Sequence, residues 1–189
     1  NGHVLAQYWS EGCQDDISVT IPTNALQSVA KHTDGDIQMK LNDTQVEFYS
    51  GDLKVIARVL QGAYPKVKQL IPTQFERTAT VDALTLKSAI SRVATFADDK
   101  NNVLQLNFLD DELGLSTSAH ERGMGSEVIA SQLNGEPIQL ASNLKYLNIG
   151  INALDSKTIT FNINHDNQPV IIKGNDHSLF LLMPIALRE

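Results

Sequence analysis

Residues 77–119, RTATVDALTLKSAISRVATFADDKNNVLQLNFLDDELGLSTSA, decide the fold. A short β-branched run, Thr78–Val81, comes first and reads as a strand. Asp82 follows as a helix N-cap. Leu86, Ile90, Val93 and Ala94 then recur at helical spacing and give one apolar face. Apolar and polar residues alternate after Asn102, with Asp110–Asp111 as a hairpin turn. The grammar is strand, helix, strands.

The same grammar occurs twice more. Upstream, residues 17–60 offer a strand at Ile17–Ile21, a cap at Thr23, and a helix with Leu26, Val29 and Ala30 on its apolar stripe. Strands follow around a turn at Asn42–Asp43. Downstream, residues 136–185 offer a strand at Ile138–Ala141, a cap at Ser142 and a helix carrying Leu144, Leu147, Ile151 and Leu154. Strands again follow, around Asn164–Asn167. The three caps are spaced by 59 and 60 residues. A regular spacing of a whole supersecondary unit marks a structural repeat. One such unit cannot bury both its helix and its sheet, so units pair. An odd count leaves one without a partner. The chain also opens at Asn1 directly in a strand-like run, His3–Trp9, which suggests a preceding half.

The fold class expected is therefore α+β, with repeated βαβββ-type units and helices on one face of antiparallel sheets. The segment 64–72, with two prolines and two lysines, reads as a linker. The expected division is residues 1–72 and residues 73–189.

The 189 residues carry a formal charge of −7, which taken alone argues against a nucleic-acid partner. The distribution argues otherwise. The helices expected at 24–33, 84–97 and 143–154 contain Lys31, Lys87, Arg92 and Lys145 and no Asp or Glu, so they hold +4 and the rest of the chain −11. His32, Ser28, Ser91, Asn148 and Asn152 add uncharged polar groups. A basic or neutral helical face on an acidic body suits loose, sequence-independent contact with a phosphate backbone.

Catalytic signatures are missing. His3, His32, His120, His165 and His177 show no metal-ligand spacing, and Cys13 is the single cysteine. No phosphate-binding glycine loop or nucleophile elbow occurs. The pairs Asp15–Asp16, Asp98–Asp99 and Asp110–Asp111 sit at element ends, where neighbours rarely converge on a metal. A dispersed Ser/His/Asp site around His120 or His177 has nothing specific to support it. No stretch is apolar for long enough to span a bilayer, and no signal peptide opens the chain, so a cytoplasmic location is expected. The apolar end, Ser178 to Leu187, continues past Pro184. It reads either as a tail packed on the core or as one wall of a peptide groove.

Four stretches, in order, resemble one family. Asn1–Ala6, NGHVLA, is similar to a DGHRLA segment. Residues 60–72, LQGAYPKVKQLIP, are similar to DGRFPDYRRVLP. Residues 86–100, LKSAISRVATFADDK, resemble the first helix of that family's last domain. Residues 182–187, LMPIAL, resemble a VMPMRL terminus. The family is the bacterial sliding clamp, the β subunit of DNA polymerase III, and the resemblance is to its C-terminal half.

The resemblance implies the DNA-clamp fold, with residues 1–72 as the second half of the middle domain plus linker and residues 73–189 as a complete C-terminal domain. It implies a non-catalytic processivity factor of replication without cofactor or metal, a homodimeric ring when full length, around double-stranded DNA. It implies a groove that takes linear peptides of polymerase and clamp-loader subunits. Carried over, the groove comprises Gly2, His3, Leu5, Pro65, Leu70, Leu181, Met183, Pro184, Ile185 and Leu187. Thr95 and Phe96 match the subunit interface. Lys31, Lys87, Arg92, Lys100 and Lys145 are the candidates for facing DNA. Val4, Gln69 and Ala186 stand where the motifs have arginine, which makes this groove less basic, and Arg188 and Glu189 extend past the motif's end. The alternative is a peptide-binding module without DNA encirclement.

Overall fold

The computed structural model describes residues 2–10, 17–97, 102–117, 123–175 and 177–186. In chain order the elements are β1 (Val4–Tyr8), α1 (Thr23–His32), β2 (Gln38–Leu41), β3 (Gln45–Ser50), β4 (Leu53–Arg58), a 3-10 turn (Val67–Leu70), β5 (Arg77–Asp82), α2 (Ala83–Ala94), β6 (Val103–Phe108), β7 (Glu112–Thr117), β8 (Ser126–Asn134), β9 (Ile138–Asn143), α3 (Leu144–Ala153), β10 (Thr158–Ile163), β11 (Val170–Asn175) and β12 (Ser178–Leu182). They form two compact units, Asn1–Glu11 with Val67–Glu189, and Gly12–Lys66. The sequence-based division at residue 72 differs from this at the N-terminus. There β1 pairs along its whole length with β12, Val4 opposite Leu182 and Tyr8 opposite Ser178.

The larger unit contains the repeat twice, as β5-α2-β6-β7-β8 and β9-α3-β10-β11-β12. Its antiparallel sheet runs β1-β12-β11-β10-β5-β8-β7-β6-β9. The two repeats interlock. The opening strand of each lies beside the first strand after the helix of the other, β5 on β10 and β9 on β6. Past β12 the chain reaches β9 again through Ile185, whose N–H donates to the Ala141 carbonyl at 2.8 Å.

Helices α2 and α3 pack side by side on one sheet face. Leu86, Ala89, Ile90 and Val93 of α2, and Leu147 and Ile151 of α3, are buried there over Leu104, Leu106, Phe108, Ile159 and Phe161. Close approach of α3 to the sheet needs a bare α-carbon. A Cβ at Gly150 would lie 2.3 Å from the Phe180 ring.

Caps define the helix starts. Asp82 accepts from the Thr85 N–H at 2.8 Å, as its sequence position predicts. For α3 the cap is Asn143, whose Oδ1 accepts from the N–H groups of Lys145 and Tyr146. Ser142, the expected cap, is instead a buried β9 residue.

The smaller unit is one repeat. Helix α1 packs on β4 of the β2-β3-β4 sheet, and Val29, Val46 and Phe48 form its core. The strand expected at Ile17–Ile21 does not form. Among the described residues its main chain is held there by the bond from the Leu60 N–H to the Thr20 carbonyl at 2.8 Å. In the larger unit, by contrast, each opening strand lies against a strand of the other repeat. The expected stripe on α1 is also rotated. Ala25 and Val29 are buried, Leu26 is 45% exposed, and Pro22 rather than Thr23 holds the cap position without a side-chain cap bond.

Candidate functional site

Three surfaces carry the candidate residues. The first is the face of the β1-β12-β11 sheet opposite the helices. Alternation along β12 sends Phe180 and Leu182 to the helix side and Leu179 and Leu181 to the other. There Ile171, Leu179 and Leu181 form a separate apolar cluster, edged by half-buried Leu5, Ile71, Phe75 and Met183. Leu5 is opposite Leu181 in the β1–β12 register. Next to it, the Met183 N–H donates to the His3 carbonyl at 2.9 Å. The His3 ring stacks on Tyr146 of α3, centroids 5.9 Å apart and planes 19° from parallel.

The structure therefore gathers Leu5, Leu181 and Met183, with exposed Leu70 preceding Ile71, whereas exposed His3, after exposed Gly2, meets Met183 through its main chain and turns its ring to Tyr146 on the helix side. It sends Pro184 and Ile185 elsewhere. Pro184 closes a small cavity with Leu106, Leu140, Phe161 and Leu182, and Ile185 bridges to Ala141. Pro65 belongs to the smaller unit. Leu187 lies outside the described residues, as do Lys100, His120 and the pairs Asp15–Asp16 and Asp98–Asp99. Sequence reasoning missed Ile71, Phe75 and Tyr146. Tyr146 had one readable signal, an aromatic ring just off the apolar stripe of its helix.

The second surface is the outer side of α2 and α3 in the larger unit, with α1 of the smaller unit taken by itself. With their observed bounds all three remain free of Asp and Glu. The basic residues divide by what else explains them. Lys31 is in the last turn of α1, where a cation suits the helix dipole. Arg92, in the last turn of α2, also meets Glu127 of β8, Nη2 to Oε1 at 2.5 Å. That bond holds the Glu127 carboxyl below the usual carboxylate range and raises the guanidinium further. Lys145 is different. It is exposed in the first turn of α3, where the dipole disfavours a cation and a stability argument predicts an acid. Lys87, half-buried on α2, forms no ion pair among the described residues.

The third surface is the end of α2. Phe96 is 40% exposed beside the start of β8. Thr95 is less available, because its hydroxyl donates to the Arg92 carbonyl at 2.8 Å. No cluster of metal-ligating side chains occurs among the described residues. None of their helices is long and apolar enough to cross a membrane.

Against known proteins, the family model for the DNA polymerase III beta subunit, C-terminal domain, matches residues 68–185. The Beta sliding clamp of Synechocystis sp. is 39% identical over 181 residues, covering 91% of this chain and 46% of the relative. That of Staphylococcus aureus is 30% identical over 182 residues, covering 93% of this chain and 48% of the relative. The chain thus spans about half the length of the curated relatives it matches. Among solved structures, a Bartonella birtlesii DNA polymerase III subunit beta sliding clamp superposes with a TM-score of 0.91 at 26% identity, over 99% of this chain and 56% of that one. A Pseudomonas aeruginosa sliding clamp, at 20% identity and a TM-score of 0.89 over 99% of this chain and 54% of that one, shares the fold.

Proposed function

The chain belongs to the DNA polymerase III β-subunit family, the bacterial sliding clamps, and from that premise we propose that it is the C-terminal half of a clamp subunit: a non-catalytic processivity factor that encircles duplex DNA as a homodimeric ring and tethers polymerase and clamp loader. Residues 1–72 are then the second half of a middle domain plus linker, and residues 73–189 the last domain.

The observation that carries the reading is Lys145, a cation kept at the wrong end of a helix for stability, on helices that contain no acids. Encirclement needs such a surface. A ring leaves DNA only by opening, so its contacts with phosphate are required to be weak and indifferent to sequence. Lys87 and Lys145 supply such contacts, and Asn148 and Asn152, bonded to each other at 2.9 Å, add neutral polar groups one turn on. The acidic remainder of the chain disfavours DNA elsewhere.

The apolar cluster edged by Leu5, Ile71, Phe75 and Met183 supports a tethering role. A short peptide held there converts polymerase binding at the primer end into an intramolecular event. The resemblance assigns the same region.

The test is retention. A full-length subunit carrying this chain, loaded on nicked circular DNA, should stay bound through gel filtration and run off once the circle is cut. Equal loss from circular and linear DNA would sink encirclement and leave a peptide-binding module.

A further inference from the structure

The β2-β3-β4 sheet has a second face, turned away from α1. Val46 and Phe48 of β3 join Val29 in the core, so alternation sends Gln45, Glu47 and Tyr49 to the other side. The register sets Lys40 of β2 opposite Glu47, and Lys54, Ile56 and Arg58 of β4 opposite Tyr49, Glu47 and Gln45. The face thus holds three cations and one acid in a chain of net charge −7.

That acid is engaged within the face. The Tyr49 hydroxyl donates to Glu47 Oε2, and Lys54 Nζ lies 3.4 Å from the same oxygen. These partners, Tyr49 first, hold the Glu47 carboxyl below its ordinary range. The Tyr49 ring is engaged as well. Lys40 and Lys54, from the strands on either side, each place Nζ 5.1 Å from its centroid. What remains outward is cationic and apolar. Along β4, Lys54, Ile56 and Arg58 are all exposed, Ile56 by 53%, and Arg58 forms no ion pair among the described residues.

Lysine and arginine on edge strands are an ordinary guard against stray pairing. A guard does not call for an exposed isoleucine between its cations. The order cation, apolar, cation, repeating every second residue at about 6.6 Å, complements an extended segment that reads acid, apolar, acid at the same period. Nucleic acid fits less well. Single strands are held by stacking bases on free aromatic faces, and here both lysines already occupy the ring. Ile56 would find no partner on a phosphate backbone, and Glu47 would oppose one.

We propose that this face docks an extended acidic segment of a partner protein, its apolar residue on Ile56 and its carboxylates on Lys54 and Arg58. Lys40, steadied on Tyr49, adds positive charge from β2. These residues belong to the smaller unit, whereas the apolar cluster around Leu181 belongs mainly to the larger one.

The experiment uses the full-length subunit carrying this chain and a fluorescein-labelled peptide in which a leucine is flanked by glutamates at alternate positions, read by anisotropy. Arg58→Gln should weaken binding about two- to fivefold, the scale of an exposed ion pair. Arg58→Glu should weaken it by about tenfold or more, because like charges then meet. Ile56→Thr keeps the β-branch that suits a strand and should cost about fivefold, the scale of a half-covered apolar side chain. Glu47→Gln should tighten binding by about twofold, by freeing Lys54. If Glu47 only braces the sheet, affinity does not rise and the proposal fails.

An excess of polymerase-tail peptide should not displace the probe, and a single-stranded oligonucleotide of equal charge should bind more weakly. Failure of the probe to bind would overturn the proposal, as would an unchanged affinity in Ile56→Thr. Displacement by the tail peptide would place the probe in the groove and overturn it too. Equal binding by the oligonucleotide, equally sensitive to Arg58→Gln, would make the face a phosphate contact instead. Should Arg58→Glu not fold, Arg58→Gln carries the test.

Discussion

Arg92 on α2 holds Glu127 on β8 through two bonds, Nε to Oε2 at 3.0 Å and Nη2 to Oε1 at 2.5 Å. The residues are 35 positions apart, and the pair ties the last turn of α2 down to the sheet. It also neutralises a charge that the helix sequence alone counts as available to DNA. Of the basic residues on the larger unit's helices, Lys87 and Lys145 keep theirs.

DNA binding should follow that division. Each phosphate that is no longer neutralised lowers the slope of log affinity against log salt by about 0.9. In a full-length subunit, Lys145→Ala and Lys87→Ala should each reduce the slope by roughly that amount, and Arg92→Ala by much less. Glu127→Gln should steepen it, by releasing Arg92. Fluorescence anisotropy on a duplex over a range of salt measures all four. Equal slopes for Arg92→Ala and Lys145→Ala would show that the ion pair opens to DNA.

The same carboxylate gives a pH dependence. Glu127 has its folded pKa lowered from the ordinary 4.5 by Arg92, and Asp82 from 3.8 by the Thr85 hydroxyl and N–H. A depressed folded value means the unfolded chain binds the proton first as pH falls. The stabilisation is therefore complete above the ordinary values and is lost as pH drops through the depressed ones. Urea midpoints should be flat near neutrality and fall below pH 4.5, and Glu127→Gln should make that acid-side fall shallower.

Capping separates two neighbouring residues that the sequence does not distinguish. Asn143 satisfies two N–H groups of α3, while the buried Ser142 hydroxyl has no hydrogen-bond partner among the described residues. Asn143→Ala should destabilise by about 1 kcal/mol. Ser142→Ala should be neutral or slightly stabilising, since it removes an unpaired buried polar group. Denaturant titrations of the two variants compare them directly.

Gly150 reverses the usual expectation for a helical glycine. Propensity alone makes Gly→Ala favourable by about 1 kcal/mol. Here the new methyl would enter the Phe180 ring at 2.3 Å, and overpacking costs about 1–3 kcal/mol. Gly150→Ala should lower the denaturation midpoint, and Phe180→Leu should restore part of it. A raised midpoint would show that β12 yields to α3.

Local rules accounted for what was local. The 3.6-residue pattern found α2 and α3, and Asp82 was readable as a cap because it directly precedes its helix. Ser142 and Asn143 are both good caps by type, and the choice falls to Asn143 because it directly precedes Leu144, the first residue of α3, while Ser142 is buried one residue back in β9. The strand at Ile17–Ile21 has the right composition, but a strand needs a neighbour. Leu26 is exposed for a related reason, because the face α1 buries depends on what packs over it. The Arg92–Glu127 pair, the β1–β12 pairing and the His3–Tyr146 stack join residues far apart in the chain, and no periodicity announces them. The groove motifs fall on β1 and at β12, yet β12 ends at Leu182 and the chain then crosses to β9, which divides Leu181 and Met183 from Pro184 and Ile185.

That division makes the groove testable residue by residue. Leu181 and Met183 belong to the apolar cluster with Leu5, Ile71 and Phe75, whereas Pro184 lines a cavity on the core side. A peptide bound on the cluster should bind less tightly when Met183 is shortened and be indifferent to Ile185. Met183→Ala and Leu5→Ala should each weaken a polymerase-tail peptide by about tenfold, the scale of a buried apolar anchor. Ile185→Ala should change the affinity little, provided its N–H still meets Ala141. Tyr146→Ala should change it little as well, because the His3 ring that stacks on Tyr146 lies toward α3 rather than on the cluster's face. Calorimetric titration of one peptide into the four variants gives the ordering. If Ile185→Ala proves the most damaging, the peptide occupies the β9 side of the tail, and the groove lies around Pro184 rather than on the outer face of β12.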